Sequence, residues 1–153
     1  MSKSSFLYVT YIRTTPQRLW EALTGPEFNK QYWFGMHQES DWEAGKSWKL
    51  VFADGRIADT GEVLAVEPPT RLVLKWRNEF RPEVKADGDT ICTFVIEPDG
   101  EMTKLTVTHE ADGDKPQHML IDAVSQGWPK VLSSLKSFIE TGRALPGTDH
   151  LPR

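Results

Sequence analysis

PQHMLIDAVSQGWPKVLSSLKSFIETG, residues 116–142, is the stretch that decides the fold. Ile121, Val124, Trp128, Val131, Leu135 and Phe138 recur at spacings of three and four, which puts one continuous apolar stripe on a helix. The spacing predicts that helix from about Pro116 to Thr141, with Gly142 ending it as the residue just past the last turn. At 1.5 Å per residue it would be on the order of 35 Å long. Pro129 removes a backbone donor and predicts a local kink. Gly127, beside it, has no side chain to hold the helix off a neighbouring surface.

A helix with one apolar face needs a partner, and the preceding residues supply a β-meander. Ser47–Ala53 alternates, with Trp48, Leu50 and Phe52 on one face. Ala53-Asp54-Gly55-Arg56 is a hairpin turn, since Asp-Gly supplies the positive φ such turns need. Ile57–Val66 reads as a longer strand, and Gly61 within it as a bulge or bend. Glu67-Pro68-Pro69-Thr70 turns the chain into the strand Arg71–Arg77. Asn78–Gly88 is charged and contains Pro82, which predicts an exposed loop. Thr90–Glu97 and Met102–His109 follow as strands around the turn Pro98-Asp99-Gly100. Reverse turns at nearly every junction favour an antiparallel sheet.

Toward the N-terminus, Phe6–Ile12 is uninterrupted by Gly or Pro and rich in β-branched and aromatic residues, a strand signature. Thr14-Thr15-Pro16 then offers a hydroxyl cap and a proline suited to a first helical turn. Gly25-Pro26 stops that helix and starts a second, to about Tyr32. The expected class is therefore α+β: a curved antiparallel sheet of about six to seven strands around a long C-terminal helix, with two short helices after the first strand. One domain over residues 1–142 and a flexible tail over 143–153 complete the expected organisation.

Composition narrows the function. The 153 residues carry a formal net charge of −4, which argues against a nucleic-acid partner, for which a basic face is usual. No apolar run is long enough to span a bilayer, and the N-terminus lacks the pattern of a secretory signal. Cys92 is the single cysteine, so no internal disulfide can form, and a reducing, cytoplasmic location is expected.

The ordered set Thr15-Pro16 with Leu19-Trp20, Trp33-Phe34, Asp54-Gly55, Gly61 with Val63, Glu67-Pro68-Pro69 with Leu72, Leu74 with Trp76, Thr106–His109 and Gly127-Trp128-Pro129 with Val131-Leu132 and Leu135 resembles the activator-of-Hsp90-ATPase-like family. That family lies in the START-related, helix-grip (SRPBCC) superfamily, which also holds polyketide cyclases and plant carriers of hydrophobic ligands. The resemblance spans roughly Phe6–Gly142. It implies a helix-grip fold with an apolar cavity between sheet and helix. Members that stimulate the chaperone carry a separate N-terminal docking domain, whereas this chain begins with its first strand. A chaperone partner is therefore doubtful.

Of the six tryptophans, Trp33 and Trp76 are the pocket candidates, because the superfamily's cavity opens near them, and Trp48 joins them as a candidate on its apolar strand face. An indole offers a ligand a large apolar face and one N–H donor. Trp20 and Trp128 are expected in the core. His109 shares a strand face with Leu105 and Val107 and should point inward, where an imidazole can act as a base or orient a ligand. Asp59 alternates with Ile57, Gly61 and Val63, and the pattern leaves its direction open. Were the two to converge, they would form an acid–base pair for aldol or dehydration chemistry. Phe80, at the tip of the charged loop, is a candidate apolar lid.

No metal site is readable, since His37, His109, His118 and His150 are scattered. Cys92 alternates with Phe94 and Ile96 as a structural strand residue, and no phosphate-binding loop occurs, so no cofactor is expected. Three functions remain: a binding domain for a small apolar ligand, in stress response or resistance; a cyclase- or dehydratase-type enzyme using polar groups in the same cavity; and, weakest, a chaperone-interacting protein. A homodimer is left open.

Overall fold

A computed structural model describes residues 3–150. Seven strands form one antiparallel sheet: β1 (Ser5–Ile12), β2 (His37–Ser40), β3 (Ser47–Val51), β4 (Ile57–Glu67), β5 (Arg71–Asn78), β6 (Thr90–Asp99) and β7 (Met102–Ala111). Their spatial order is β1-β7-β6-β5-β4-β3-β2. The first two strands thus lie on opposite edges. The chain crosses between them through α1 (Pro16–Thr24) and α2 (Pro26–Tyr32). The long helix α4 (Met119–Thr141) packs its apolar stripe on the sheet, burying Ile121, Trp128, Val131, Leu132 and Leu135. This is the helix-grip fold.

Local chemistry accounts for the helix ends. Thr15 accepts a hydrogen bond from the Arg18 N–H at 3.2 Å, with Pro16 opening α1. The long helix starts three residues later than the spacing suggests, because His118 caps it. Its Nδ1 accepts from the Leu120 N–H at 3.1 Å. Gly142 closes the helix at φ 81°, the left-handed conformation that favours glycine. The helical assignment continues unbroken through Pro129.

Four features differ from the sequence expectations. Strand β2 was not predicted, because His-Gln-Glu-Ser carries no apolar alternation. It pairs with β3 nonetheless and buries Gln38. Within the expected loop, Pro82–Lys85 forms a short helix, α3, that buries Val84. Gly61 is not the bulge. The register of β4 on β5 shifts beyond it, between Val63 and Ala65. Gly61 instead marks a close approach, where a Cβ would overlap the Lys75 carbonyl oxygen.

The fourth difference concerns the expected flexible tail. Residues 143–150 are anchored, and 151–153 lie outside the described residues. Ser134 is buried on α4 and needs polar partners. It finds the Thr148 hydroxyl at 2.6 Å and the Leu145 N–H at 3.0 Å. The Thr148 carbonyl accepts from the Phe34 N–H at 2.6 Å.

Candidate functional site

Between the sheet and the first half of α4 lies a cavity of about 210 Å³. Its floor is Trp76 from β5, and one wall is Trp128 and Val131 from α4. Trp33 and Phe34, just after α2, form the other wall. Phe80, Arg81 and Val84 contribute from the loop and short helix after β5. The indoles of Trp33, Trp76 and Trp128 pack on one another, with ring centroids 6.3 Å (Trp33–Trp76), 5.3 Å (Trp33–Trp128) and 5.9 Å (Trp76–Trp128) apart. Each is nearly buried, so a molecule in this space would rest against a cluster of indoles.

Gly127 faces the cavity. A Cβ placed there would meet no atom within 4 Å. The expectation that this glycine allows close helix-to-sheet packing is thus corrected: it leaves room. Trp128, expected only in the core, is buried and lines the cavity as well.

The apolar lining is interrupted at the β4–β5 end by Asp59 and Asn78. Asp59 faces inward and is 5% exposed. The register shift of β3 on β4 between Leu50 and Val51 accompanies a break in alternation, so that Ile57 points out while Ala58 and Asp59 are both buried. Asn78 Nδ2 donates to Asp59 Oδ1 at 3.1 Å, and Asn78 Oδ1 accepts from the Arg81 N–H at 2.9 Å. Among the described residues, none donates to Asp59 Oδ2 within hydrogen-bonding geometry. Burial pushes the carboxyl up to about 7, against the opposing influence of Trp76 and Asn78. The Trp76 Nε1–H is close enough to favour the ionised carboxylate, yet it is buried without a hydrogen-bond partner.

His109 lies behind this wall. Its ring stacks obliquely on Trp76 at 5.1 Å, and it is fully buried outside the cavity lining. Trp128 Nε1 donates to His109 Nδ1 at 3.1 Å. Since an indole N–H can only donate, Nδ1 must be the bare nitrogen and Nε2 carries the proton. Nε2–H then donates to Thr90 Oγ1 at 2.7 Å, and that hydroxyl donates to the Trp76 carbonyl at 3.1 Å. Burial lowers the imidazole to about 3, with a smaller contribution from His118. His109 and Asp59 therefore share no hydrogen bond, and both nitrogens of the histidine are engaged elsewhere. The acid–base pair considered from the sequence does not assemble.

The other candidates divide in the same way. Trp33, Trp76 and Phe80 line the cavity, and Trp48 does not. Trp48 is fully buried beneath Trp76, ring centroids 4.4 Å apart, and its indole N–H donates to Gln38 Oε1 at 3.0 Å. Gln38 is itself held by Asn29 and the Leu23 carbonyl, so this polar cluster fixes the rings behind the floor. Phe80 is 49% exposed at the rim and meets Phe52 edge-on at 5.2 Å. Asn78, Gly127 and Phe34 went unrecognised as lining residues. A glycine inside an otherwise strong helix was the available signal for one of them. Cys92 is buried in the core, where desolvation raises its thiol well above the ordinary value. Among the described residues, no group of three His, Cys, Asp or Glu side chains comes together as a metal site. No described helix is long and apolar enough to cross a membrane.

The sequence profile described as Activator of Hsp90 ATPase homolog 1-like protein matches residues 13–140. No functionally curated protein matches the chain significantly. Solved structures share its fold. CalU16 from Micromonospora echinospora aligns at 22% identity and TM-score 0.70 over 90% of this chain and 77% of its own. An Hsp90 activator from Plasmodium falciparum aligns at 20% identity and TM-score 0.70, over 89% of this chain and 96% of its own. The Aha1 dimer from Colwellia psychrerythraea aligns at 20% identity and TM-score 0.70, over 92% and 98%.

Proposed function

The chain belongs to the Activator of Hsp90 ATPase homolog 1-like family, and on the character of its cavity we propose that it is a binding domain for a small hydrophobic molecule. The observation that carries this reading is Gly127. A helix that only packed against the sheet would gain stability from any larger residue there, yet the position is left without a side chain above a cluster of three indoles. Ligand sites are concave and mostly apolar with a few placed polar groups, and Asp59 with Asn78 supplies those. Roles in stress response or resistance, and a cytoplasmic location, belong to the same proposal.

Filling the cavity tests it. Gly127→Leu should keep or raise thermal stability while weakening naphthalene binding at least tenfold, as read by calorimetry. A folded variant that binds naphthalene with unchanged affinity would remove the cavity from consideration.

One observation favours a second reading, an enzyme of the cyclase or dehydratase kind. Asp59 is a cavity carboxyl held at about 7, the range in which a general acid or base works best at neutral pH. It lacks the histidine partner that such chemistry was expected to use, so this reading stands second. A chaperone partner draws support from the family and from the likeness to the Plasmodium activator, and a homodimer from the likeness to the Colwellia dimer. No residue of the cavity favours either.

A further inference from the structure

Independently of the cavity, we infer that β1 is a dimerisation strand, pairing antiparallel with β1 of a second copy of this chain about a two-fold axis at Leu7. The strand lies on one edge of the sheet, and its backbone groups point alternately inward and outward. The Ser4 carbonyl accepts from the Ala111 N–H. With the unbroken register on β7, the even-numbered residues therefore bond within the sheet and the odd-numbered ones face outward. The outward row is closed at its far end, where the Tyr11 carbonyl accepts from Lys136 Nζ and the Arg13 N–H donates to Glu140 Oε2. Among the described residues, nothing bonds the outward N–H and C=O groups of Ser5, Leu7 and Val9. The opposite edge is guarded, since the Gln38 N–H of β2 donates to Asn29 Oδ1 of α2 at 3.1 Å.

Edge strands are usually blunted by lysine, proline or a bulge. Between Lys3 and Arg13, β1 carries no charge, glycine or proline, and it leaves Leu7 64% and Val9 43% exposed on the outer face of the sheet. The run Ser5-Phe6-Leu7-Tyr8-Val9 complements itself when reversed. Antiparallel pairing centred on Leu7 sets Leu7 opposite Leu7 and Ser5 opposite Val9 on the outer face, and each such pair exchanges both backbone hydrogen bonds. On the inner face it sets Phe6 opposite Tyr8, and aromatic cross-strand pairs are favourable. Those two rings are only partly buried and already stack within one chain at 6.3 Å. Charge agrees as well. The register brings Lys3 and its ion-pair partner Glu110 toward the second copy's Tyr11, beside Lys136 and Glu140, so cations and anions balance at each end. This symmetric match is what specifies a second copy rather than an unrelated strand. A contact of so few residues falls in the small, transient class of interfaces, so the dimer is weak and forms at high protein concentration.

Sedimentation of the full chain over a concentration series tests this, with amide hydrogen exchange followed at low and high concentration. Wild type should pass from monomer to dimer with a Kd below about 1 mM, and the Ser5, Leu7 and Val9 amides should gain protection as it does. Leu7→Lys and Leu7→Glu each put like charges face to face at the axis and should each weaken the dimer about tenfold or more. Mixing the two variants sets opposite charges across the axis and should restore a heterodimer. Position 7 is exposed, so both variants should keep the wild-type melting temperature at low concentration. A wild-type chain that stays monomeric overturns the proposal. So does a dimer that survives both substitutions, or one whose protection falls outside β1, since either puts the interface elsewhere. Loss of the dimer without recovery in the mixture overturns the antiparallel register about Leu7. None of these results bears on the cavity.

Discussion

The Trp128 indole N–H and His109 Nδ1 are joined across the gap between α4 and β7 at 3.1 Å, which makes the buried histidine a structural acceptor. Its stability consequence is opposite in sign to that of Asp59. The imidazole falls from 6.5 to about 3 on folding, so between those values the unfolded chain binds more protons, and stability is lost as pH drops from 6.5. The Asp59 carboxyl rises from 3.8 to about 7. Here the folded chain binds more protons, and stability is lost as pH rises from 3.8 to 7. Each slope can reach about 1.4 kcal/mol per pH unit, and across the shared window they oppose each other.

Separating the two is straightforward. In Asp59→Asn, stability relative to wild type should fall as pH is lowered from 6.5 to 4. In His109→Gln it should rise over the same range. Urea denaturation at several pH values measures both. Parallel curves for the two variants and wild type would mean that neither group carries the assigned shift.

Two glycines should respond to alanine with opposite signs. At Gly61 a methyl group would strike the Lys75 carbonyl on the neighbouring strand, so Gly61→Ala should destabilise by about 3 kcal/mol or more. Gly127→Ala meets open space and gains helix propensity, and it should stabilise by about 0.5–1 kcal/mol. Chemical denaturation of both variants decides, and a neutral Gly61→Ala would disprove the close approach.

Leu135 is fully buried on α4. Leu135→Ala should lower stability by about 2–5 kcal/mol. A loss below about 0.5 kcal/mol, the range of surface changes, would contradict the packing of the helix on the sheet.

Intrinsic fluorescence should report the cavity selectively. Trp33, Trp76 and Trp128 line it, whereas Trp20 and Trp42 do not. Replacing any of the first three by phenylalanine should diminish the response to naphthalene, and Trp20→Phe or Trp42→Phe should leave it whole. A response that survives in all three lining variants would locate binding elsewhere.

The architecture was readable because it depends on periodicity. The stripe from Ile121 to Phe138 and the alternation around Trp48, Phe94 and Val107 each point to one face, and burial follows that face. Elements without such a pattern escaped. Strand β2 is held by backbone pairing and a buried glutamine, and the 143–150 segment by hydrogen bonds to Ser134. The candidate site was legible in part. Trp33 and Trp76 were singled out because the superfamily's cavity opens near them and Phe80 because it tips the charged loop, and all three line the cavity. Whether Asp59 faces in depends on a shift in strand register, and whether His109 is free depends on an indole nineteen residues away. Neither leaves a trace in local sequence.

Phe34 belongs at once to the cavity wall and, through its N–H bond to Thr148, to the anchorage of the chain's last described turn. Any coupling free energy between occupancy of the cavity and docking of residues 145–148 acts equally in both directions. A molecule that steadied Phe34 would hold the docked segment in place, and loss of the Thr148 contacts to Phe34 and Ser134 would weaken the grip on that molecule. The segment around Thr148 is in this sense a second handle on the cavity, one that can be grasped without ever entering it.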